Sequence, residues 1–87
     1  MGSETVYSDH ASQQMVARDI SHDEVRLVLN NPDSTAPGDD GATNAWRWLN
    51  DRRLRITFSK TSVGKGKRKQ TTVLIITAAI AEERKLK

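Results

Sequence analysis

The sequence predicts an α+β fold in which two N-terminal helices pack on one face of a three- to four-stranded antiparallel sheet. Helical spacing with capping residues occupies residues 8–31, apolar–polar alternation at period two occupies 45–60, and a β-branched run occupies 71–79. The 87 residues suffice for one small core. We therefore expect a single domain over residues 1–87, in which residues 1–5 and 81–87 are candidates for disorder.

The first helix is predicted over residues 9–18. Ser8 is a good N-cap because its hydroxyl can accept a hydrogen bond from an otherwise unpaired backbone N–H. Asp9 then places negative charge in the first turn, where it suits the helix dipole. Ala11 and Met15 stand four residues apart and predict the buried stripe of a short amphipathic helix.

The second helix is predicted between Ser21 and Pro32. Ser21 and Glu24 form an S-x-x-E capping box ahead of an apolar run. Val25 and Val28 lie on one stripe of the helix that follows. Pro32 ends the helix, because proline lacks an N–H and disfavours helical backbone in the residue before it.

Three or four strands are predicted after the helices. Residues 33–44 are rich in Asp, Gly, Ser, Thr and Pro and indicate a loop with one weak strand near 34–36. Strands are expected at about 45–50 and 53–60, joined by a tight turn. The run 71–79 is apolar on both faces at its centre, as is typical of a central strand.

The remaining segments are less regular. Val6 and Tyr7 predict at most a short extended entry to the first helix. Residues 61–70 read as a flexible basic loop. Residues 78–87 are rich in Ala, Glu and Lys, which is compatible with either a short C-terminal helix or a frayed tail.

Composition excludes several classes of protein. The chain has no cysteine, which removes disulfides, thiolate metal sites and a cysteine nucleophile. No run approaches the roughly 20 apolar residues needed to span a bilayer, and residues 1–20 lack the apolar segment of a signal peptide. We expect a soluble, cytoplasmic protein that does not contact membranes, and we predict no metal site and no cofactor.

Charge is strongly segregated along the chain. Residues 47–69 contain nine basic residues and one acidic residue, whereas residues 1–46 contain two basic and eight acidic residues. The overall net charge of +3 therefore hides a polarised molecule. A basic segment of this density is typical of surfaces that contact nucleic acid or an acidic partner.

The opening of the chain resembles small bacterial proteins related to BrnT toxins, a branch of the RelE/ParE-like toxin group in which many members have no known function. The residues that carry the resemblance are His10-Ala11, Met15, Arg18, Ile20-Ser21, Val25, Leu29 and Pro32. It covers about residues 7–32 by motif and 45–79 only by pattern. The chain departs from it at Gln13-Gln14 and Asp19, where relatives often carry a Glu-Arg pair and a glycine.

This resemblance implies a RelE-like fold and a toxin of a type II toxin–antitoxin pair. Such a toxin would be a candidate metal-independent endoribonuclease that cleaves mRNA, often on the ribosome, and would be neutralised by a co-encoded antitoxin. Metal-free cleavage needs a base, an acid and cations that stabilise the phosphorane. Histidine suits the first two roles and arginine the third.

We assign the candidate catalytic roles to His10, Arg53 and Arg55. Arg53 and Arg55 share one strand face, and Arg47 would join them in one register of the neighbouring strand. The alternative is that His10 bridges a helix to the sheet and that the arginines form a solvated face. The candidate nucleic-acid contacts are Arg47, Arg52, Lys60, Lys65, Lys67, Arg68 and Lys69.

Trp46 and Trp48 share one face of a predicted strand. Sheet aromatics can stack nucleic-acid bases. Since the chain has only four aromatic residues of the Phe, Trp and Tyr types, we expect both tryptophans to pack against the helices instead.

Three functions remain open at the level of sequence. The first is an RNA-cleaving toxin that acts through the basic segment 47–69. The second is a module on the same fold that binds nucleic acid or an acidic protein without chemistry. The third is an interaction protein whose basic loop orders on its partner.

Overall fold

The structure, a computed structural model, describes residues 2–63 and 70–84 and has the predicted α+β class. Both helices follow the first strand. The elements are β1 (Gly2–Tyr7), α1 (Asp9–Arg18), α2 (His22–Asn30), β2 (Ser34–Pro37), a short 3-10 turn (Asp39–Gly41), β3 (Thr43–Leu49), β4 (Arg52–Val63) and β5 (Gln70–Glu83). Neither helix in these ranges is long and apolar enough to cross a membrane.

The sheet is mixed and five-stranded, in the order β1-β5-β4-β3-β2. β1 runs parallel to β5, and the other neighbours are antiparallel. The expectation of a purely antiparallel sheet of three or four strands is therefore wrong in both number and direction. The sequence does not predict β1 because its partner strand lies at the other end of the chain, so no local hairpin pattern indicates the pairing.

The strand β5 is longer than predicted. Its C-terminal part pairs with the start of β4, where Arg52 and Arg53 lie opposite Glu83 and Glu82. Residues 78–83 are therefore a strand, neither a helix nor a frayed tail. β4 likewise continues through 61–63, where a loop was expected, and residues 64–69 lie outside the described residues.

Both helix starts match the prediction. The side chain of Ser8 accepts from the backbone N–H of Ala11 at 3.0 Å. Ser21 and Glu24 form the reciprocal capping box, in which each side chain accepts from the other residue's backbone N–H. α1 ends at Arg18, and the C-cap residue Asp19 adopts left-handed backbone with a φ of 55°.

One buried cluster joins both helices to the sheet. It contains Ala11 and Met15 from α1, and Val25 and Val28 from α2. Its strand members are Ala45, Leu54, Ile56, Ile75 and Ala78. Because side chains alternate across a strand, the sheet has a helix-side face, which carries Leu54 and Ile56, and an opposite face, here called the open face.

Candidate functional site

The open face carries two tryptophan–arginine pairs. In the register between β3 and β4, Trp46 lies opposite Arg55 and Trp48 lies opposite Arg53. Ala45, the residue directly before Trp46, is buried in the core on the helix side. Because side chains alternate along a strand, Trp46 and Trp48 point away from the helices. The expectation that they pack against the helices is therefore wrong.

Arg53 is held by contacts on three sides. Its guanidinium donates to Ser34 at 3.2 Å and forms an ion pair with Glu82 at 3.3 Å. The same group lies 5.6 Å from the ring centroid of Trp46. Arg84 stacks in a similar way over Trp48, at 4.5 Å. Cations at these distances are attracted to the electron-rich ring faces, so each tryptophan is paired with a guanidinium.

Arg55 lies at the mouth of an open cavity of about 540 Å³. Among the described residues it has no ion pair or side-chain hydrogen bond, and it is exposed. The cavity also contains two carboxylates and several side-chain donors and acceptors. These are Asp39, Asp40, Asn44, Thr57, Ser59 and Thr77. The cavity therefore offers a ligand one cation together with anionic and neutral hydrogen-bonding groups.

The two carboxylates are positioned by a tight turn between β2 and β3. The backbone N–H of Gly38 donates to Ala42 at 2.8 Å, and that of Ala42 donates back to Asp39 at 3.0 Å. Asp40 has a φ of 54° and Gly41 a φ of 79°. Glycine adopts such backbone freely and aspartate tolerates it better than most residues, so this sequence can close the turn.

Arg47 and Arg52 lie on the helix-side face and cap helix ends. Arg47 donates to the carbonyl of Asn31, just after α2, at 2.6 Å. Arg52 donates to the carbonyls of Arg18 and Asp19, at the end of α1, at 2.9 and 3.1 Å. Carbonyls at a helix C-terminus favour cations. Arg47 therefore does not join Arg53 and Arg55, as one register had allowed.

Arg52 also links α2 to the sheet through an ion pair with Glu24 at 2.8 Å. Burial by itself would raise the pKa of Glu24. The hydrogen bond from the backbone of Ser21 and the guanidinium of Arg52 outweigh burial, so the pKa of Glu24 lies below its ordinary value. The ionised carboxylate is thus part of the fold at neutral pH.

Neither histidine lies on the open face. His10 is exposed near the start of α1, whereas Arg53 and Arg55 point away from the helices. The structure therefore does not bring the three candidate catalytic residues together. His22, at the start of α2, stacks on Tyr7 with ring centroids 4.5 Å apart. Burial raises the pKa of Tyr7, and the nearby Arg26 opposes that effect.

The remaining candidate nucleic-acid contacts are Lys60, which the structure describes, and four basic residues that lie outside the described ranges. Lys60 is exposed and lines a cleft on the helix side of the sheet together with Arg26 and Phe58. The candidates Lys65, Lys67, Arg68 and Lys69 lie outside the described residues. Within residues 2–63 and 70–84, no three His, Asp or Glu side chains converge as a metal site would require.

Sequence reasoning missed several residues of the open face. Arg84 lies in the segment 78–87, for which a helix or a tail is expected, and Asp39, Asp40 and Asn44 lie in the segment 33–44, for which a loop is expected. Period-two alternation places Ala45 and Trp46 on opposite faces of β3. It does not decide which face is buried, because that depends on how β3 pairs with β4.

The fold and site define a small α+β protein whose mixed five-stranded sheet has helices on one side and paired tryptophans and arginines on the other. Residues 7–85 match the family described as a domain of unknown function, DUF4258, and the chain belongs to that family. No curated protein and no solved structure matches the chain. The family description assigns no activity.

Proposed function

We propose that the protein binds single-stranded RNA on the open face of its sheet. The observation that carries this proposal is the strand register, in which each tryptophan on β3 lies directly opposite an arginine on β4. Trp46 lies opposite Arg55, and Trp48 lies opposite Arg53. Flat aromatic rings stack unpaired bases, and arginine forks bind phosphate through two parallel hydrogen bonds. Both kinds of group stand side by side on the open face, where Arg55 is exposed and the two tryptophans are half-buried.

The form of the surface favours single strands over duplexes. Stacking on a tryptophan requires an unstacked base, which loops and single strands offer and RNA helices do not. Each stacked base contributes about 1–3 kcal/mol. Arg55 is free of described ion pairs and is the residue to which we assign a phosphate.

Intrinsic fluorescence tests this proposal directly, because Trp46 and Trp48 are the only tryptophans of the chain. Titration with a single-stranded RNA of roughly ten nucleotides, within the range of such sites, is expected to quench the emission. Arg55→Ala is expected to weaken binding about tenfold, as for the loss of one charge-assisted contact. Arg18→Ala removes the same charge from an exposed position on α1 and is expected to bind as the wild type does.

Two results would overturn the proposal. One is the absence of quenching and of binding at low salt by the folded wild type. The other is an equal loss of affinity in Arg55→Ala and Arg18→Ala, because binding would then follow net charge and not the open face.

A second candidate is the mRNA-cleaving toxin of a type II toxin–antitoxin pair, with ribosome-bound mRNA and a co-encoded antitoxin as partners. The opening motif and one further observation favour it, namely that Arg55 shares its cavity with Asp39 and Asp40. Arginine would stabilise the phosphorane and a carboxylate would transfer protons. His10 lies on α1, away from Arg53 and Arg55. In this candidate a carboxylate, and not His10, would therefore transfer the protons.

Induced expression in a bacterial host separates the two candidates. A toxin predicts growth arrest that the folded double variant Arg53→Ala/Arg55→Ala relieves and that His10→Ala does not. Binding without cleavage predicts unimpaired growth and RNA that stays intact after long incubation. Growth arrest that His10→Ala alone relieves would support the catalytic role that the sequence suggests for His10.

A further inference from the structure

We propose that the cavity beside Arg55 selects guanine among the four RNA bases. The inference rests on the proposed RNA binding and names the base that the site reads. Its basis is the set of groups that line the cavity, which pairs a cation with two carboxylates and an oriented amide.

The carboxylates supply the first element of selection. Guanine presents two adjacent donors on its Watson–Crick edge, N1–H and the N2 amino group. An ionised carboxylate is an acceptor with two oxygens, so it can take both donors at once. Adenine, cytosine and uracil do not offer two adjacent donors on that edge. Asp39 and Asp40 both line the cavity, and neither forms a described ion pair that would occupy it.

Asn44 supplies the second element. The hydroxyl of Thr57 donates to Oδ1 of Asn44 at 2.5 Å, which leaves the amide nitrogen of Asn44 as a donor. Guanine O6, next to N1–H, is an acceptor. Gly38 maintains the close packing of this amide, since a Cβ at that position would lie 3.2 Å from Nδ2 of Asn44. The cavity thus contains both an acceptor group and a donor group, the two kinds of partner that the Watson–Crick edge of guanine requires.

Arg55 and the cavity dimensions supply the third element. A nucleotide carries its phosphate a short distance from the base, and Arg55 at the rim of the cavity is the cation available to it. The volume of about 540 Å³ lies within the range of ordinary small-molecule sites. Trp46, directly opposite Arg55 on β3, then stacks the neighbouring base.

The test uses four oligouridine strands of roughly ten nucleotides that differ only in the central base. It compares the strand with a central guanine with those that carry adenine, cytosine or uracil at that position. The quenching of tryptophan fluorescence gives each affinity. The guanine strand is expected to bind about tenfold more tightly, as one well-formed bidentate contact provides. The measured quantity is the affinity ratio, which cancels nonspecific charge effects.

The variant Asp39→Asn/Asp40→Asn is expected to bind all four strands with similar affinity. Asparagine tolerates the left-handed backbone of position 40, so the turn is retained. Asp9→Asn/Asp19→Asn, the same loss of two negative charges at exposed positions at the two ends of α1, is expected to keep the ratio. Near-equal binding of all strands by the wild type would overturn guanine selection and leave RNA binding standing. A preference that survives the double variant would also overturn it. No binding of any strand would remove both proposals.

Discussion

Arginines with the same intrinsic chemistry have different partners on the two faces of the sheet. Arg52 donates to carbonyls at the end of α1 and to Glu24, and Arg47 donates to a carbonyl just after α2. The Nε atom of Arg47 is buried without a hydrogen-bond partner among the described residues. Arg55, by contrast, is exposed on the open face. The first two arginines therefore hold the helices on the sheet, and the third is available to a ligand.

The ion pair between Arg52 and Glu24 predicts a pH-dependent stability. A carboxyl whose pKa is lowered by folding stabilises the protein above its ordinary pKa, and this contribution is lost as the pH falls through the lower, folded value. We expect Glu24→Gln to lower the free energy of unfolding by about 1 kcal/mol at neutral pH. The difference should shrink as the pH falls below the ordinary value of 4.5.

Urea unfolding of both proteins from about pH 7 to about pH 3 measures this difference. Glutamine can still accept from the backbone of Ser21, so the change isolates the charge. Glu4→Gln, at an exposed position of β1, serves as the matched control and should leave the free energy of unfolding unchanged. A difference between wild type and Glu24→Gln that stays constant over the whole range would contradict the assignment.

The sequence predicts the face that Arg53 and Arg55 share but not the side chains that surround them. Period-two alternation correctly placed Arg53 and Arg55 on one face. Whether Trp46 belongs to that face depends on how β3 pairs with β4, because a shift of one residue exchanges the faces. Composition favoured burying the tryptophans, and the small Ala45 occupies the core position instead.

At the scale of elements, the segments fixed by local interactions were predicted and those fixed by distant pairing were not. Caps act over three residues, so both helix starts were readable. β1 forms only through β5, nearly the whole chain away, and its parallel pairing has no turn signature. The end of β5 was ambiguous because its Ala- and Glu-rich composition also suits a helix.

The two N-caps should differ in their contribution to stability. Ser8 accepts from Ala11 and also donates to the carbonyl of Ile76 in β5 at 3.2 Å, whereas the described contact of the Ser21 hydroxyl is the one with Glu24. We expect Ser21→Ala to lower the free energy of unfolding by about 1 kcal/mol. Ser8→Ala should lower it by about 2 kcal/mol, because a tertiary hydrogen bond is lost as well.

Chemical denaturation measures both changes, and Ser12→Ala is the control. Ser12 is exposed within α1, where alanine is the better helix former, so that variant should be as stable as the wild type or slightly more stable. Equal losses for Ser8→Ala and Ser21→Ala would show that the contact with β5 contributes nothing beyond the cap.

At the scale of the whole molecule, the sheet separates charges that the sequence presents as one block. Of the basic residues between positions 47 and 63, Arg53 and Arg55 lie on the open face. Arg47 and Arg52 lie on the helix side, bound to helix ends, and Lys60 lies in a helix-side cleft. Arg84 joins the open face from the end of β5. The cations available there to the proposed RNA ligand are therefore fewer than the charge count suggests.

This separation predicts how the proposed RNA binding should respond to salt. The slope of log affinity against log salt concentration changes by about 0.7 for each phosphate contact to a single strand. We expect Arg55→Ala to reduce the slope by about that amount, since it removes an open-face contact. Lys60→Ala removes an equally exposed charge from the helix side and should leave the slope unchanged. Fluorescence titrations at four or more salt concentrations give both slopes. Equal reductions in the two variants would mean that RNA wraps both faces of the sheet, and the open face would then be only part of the binding surface.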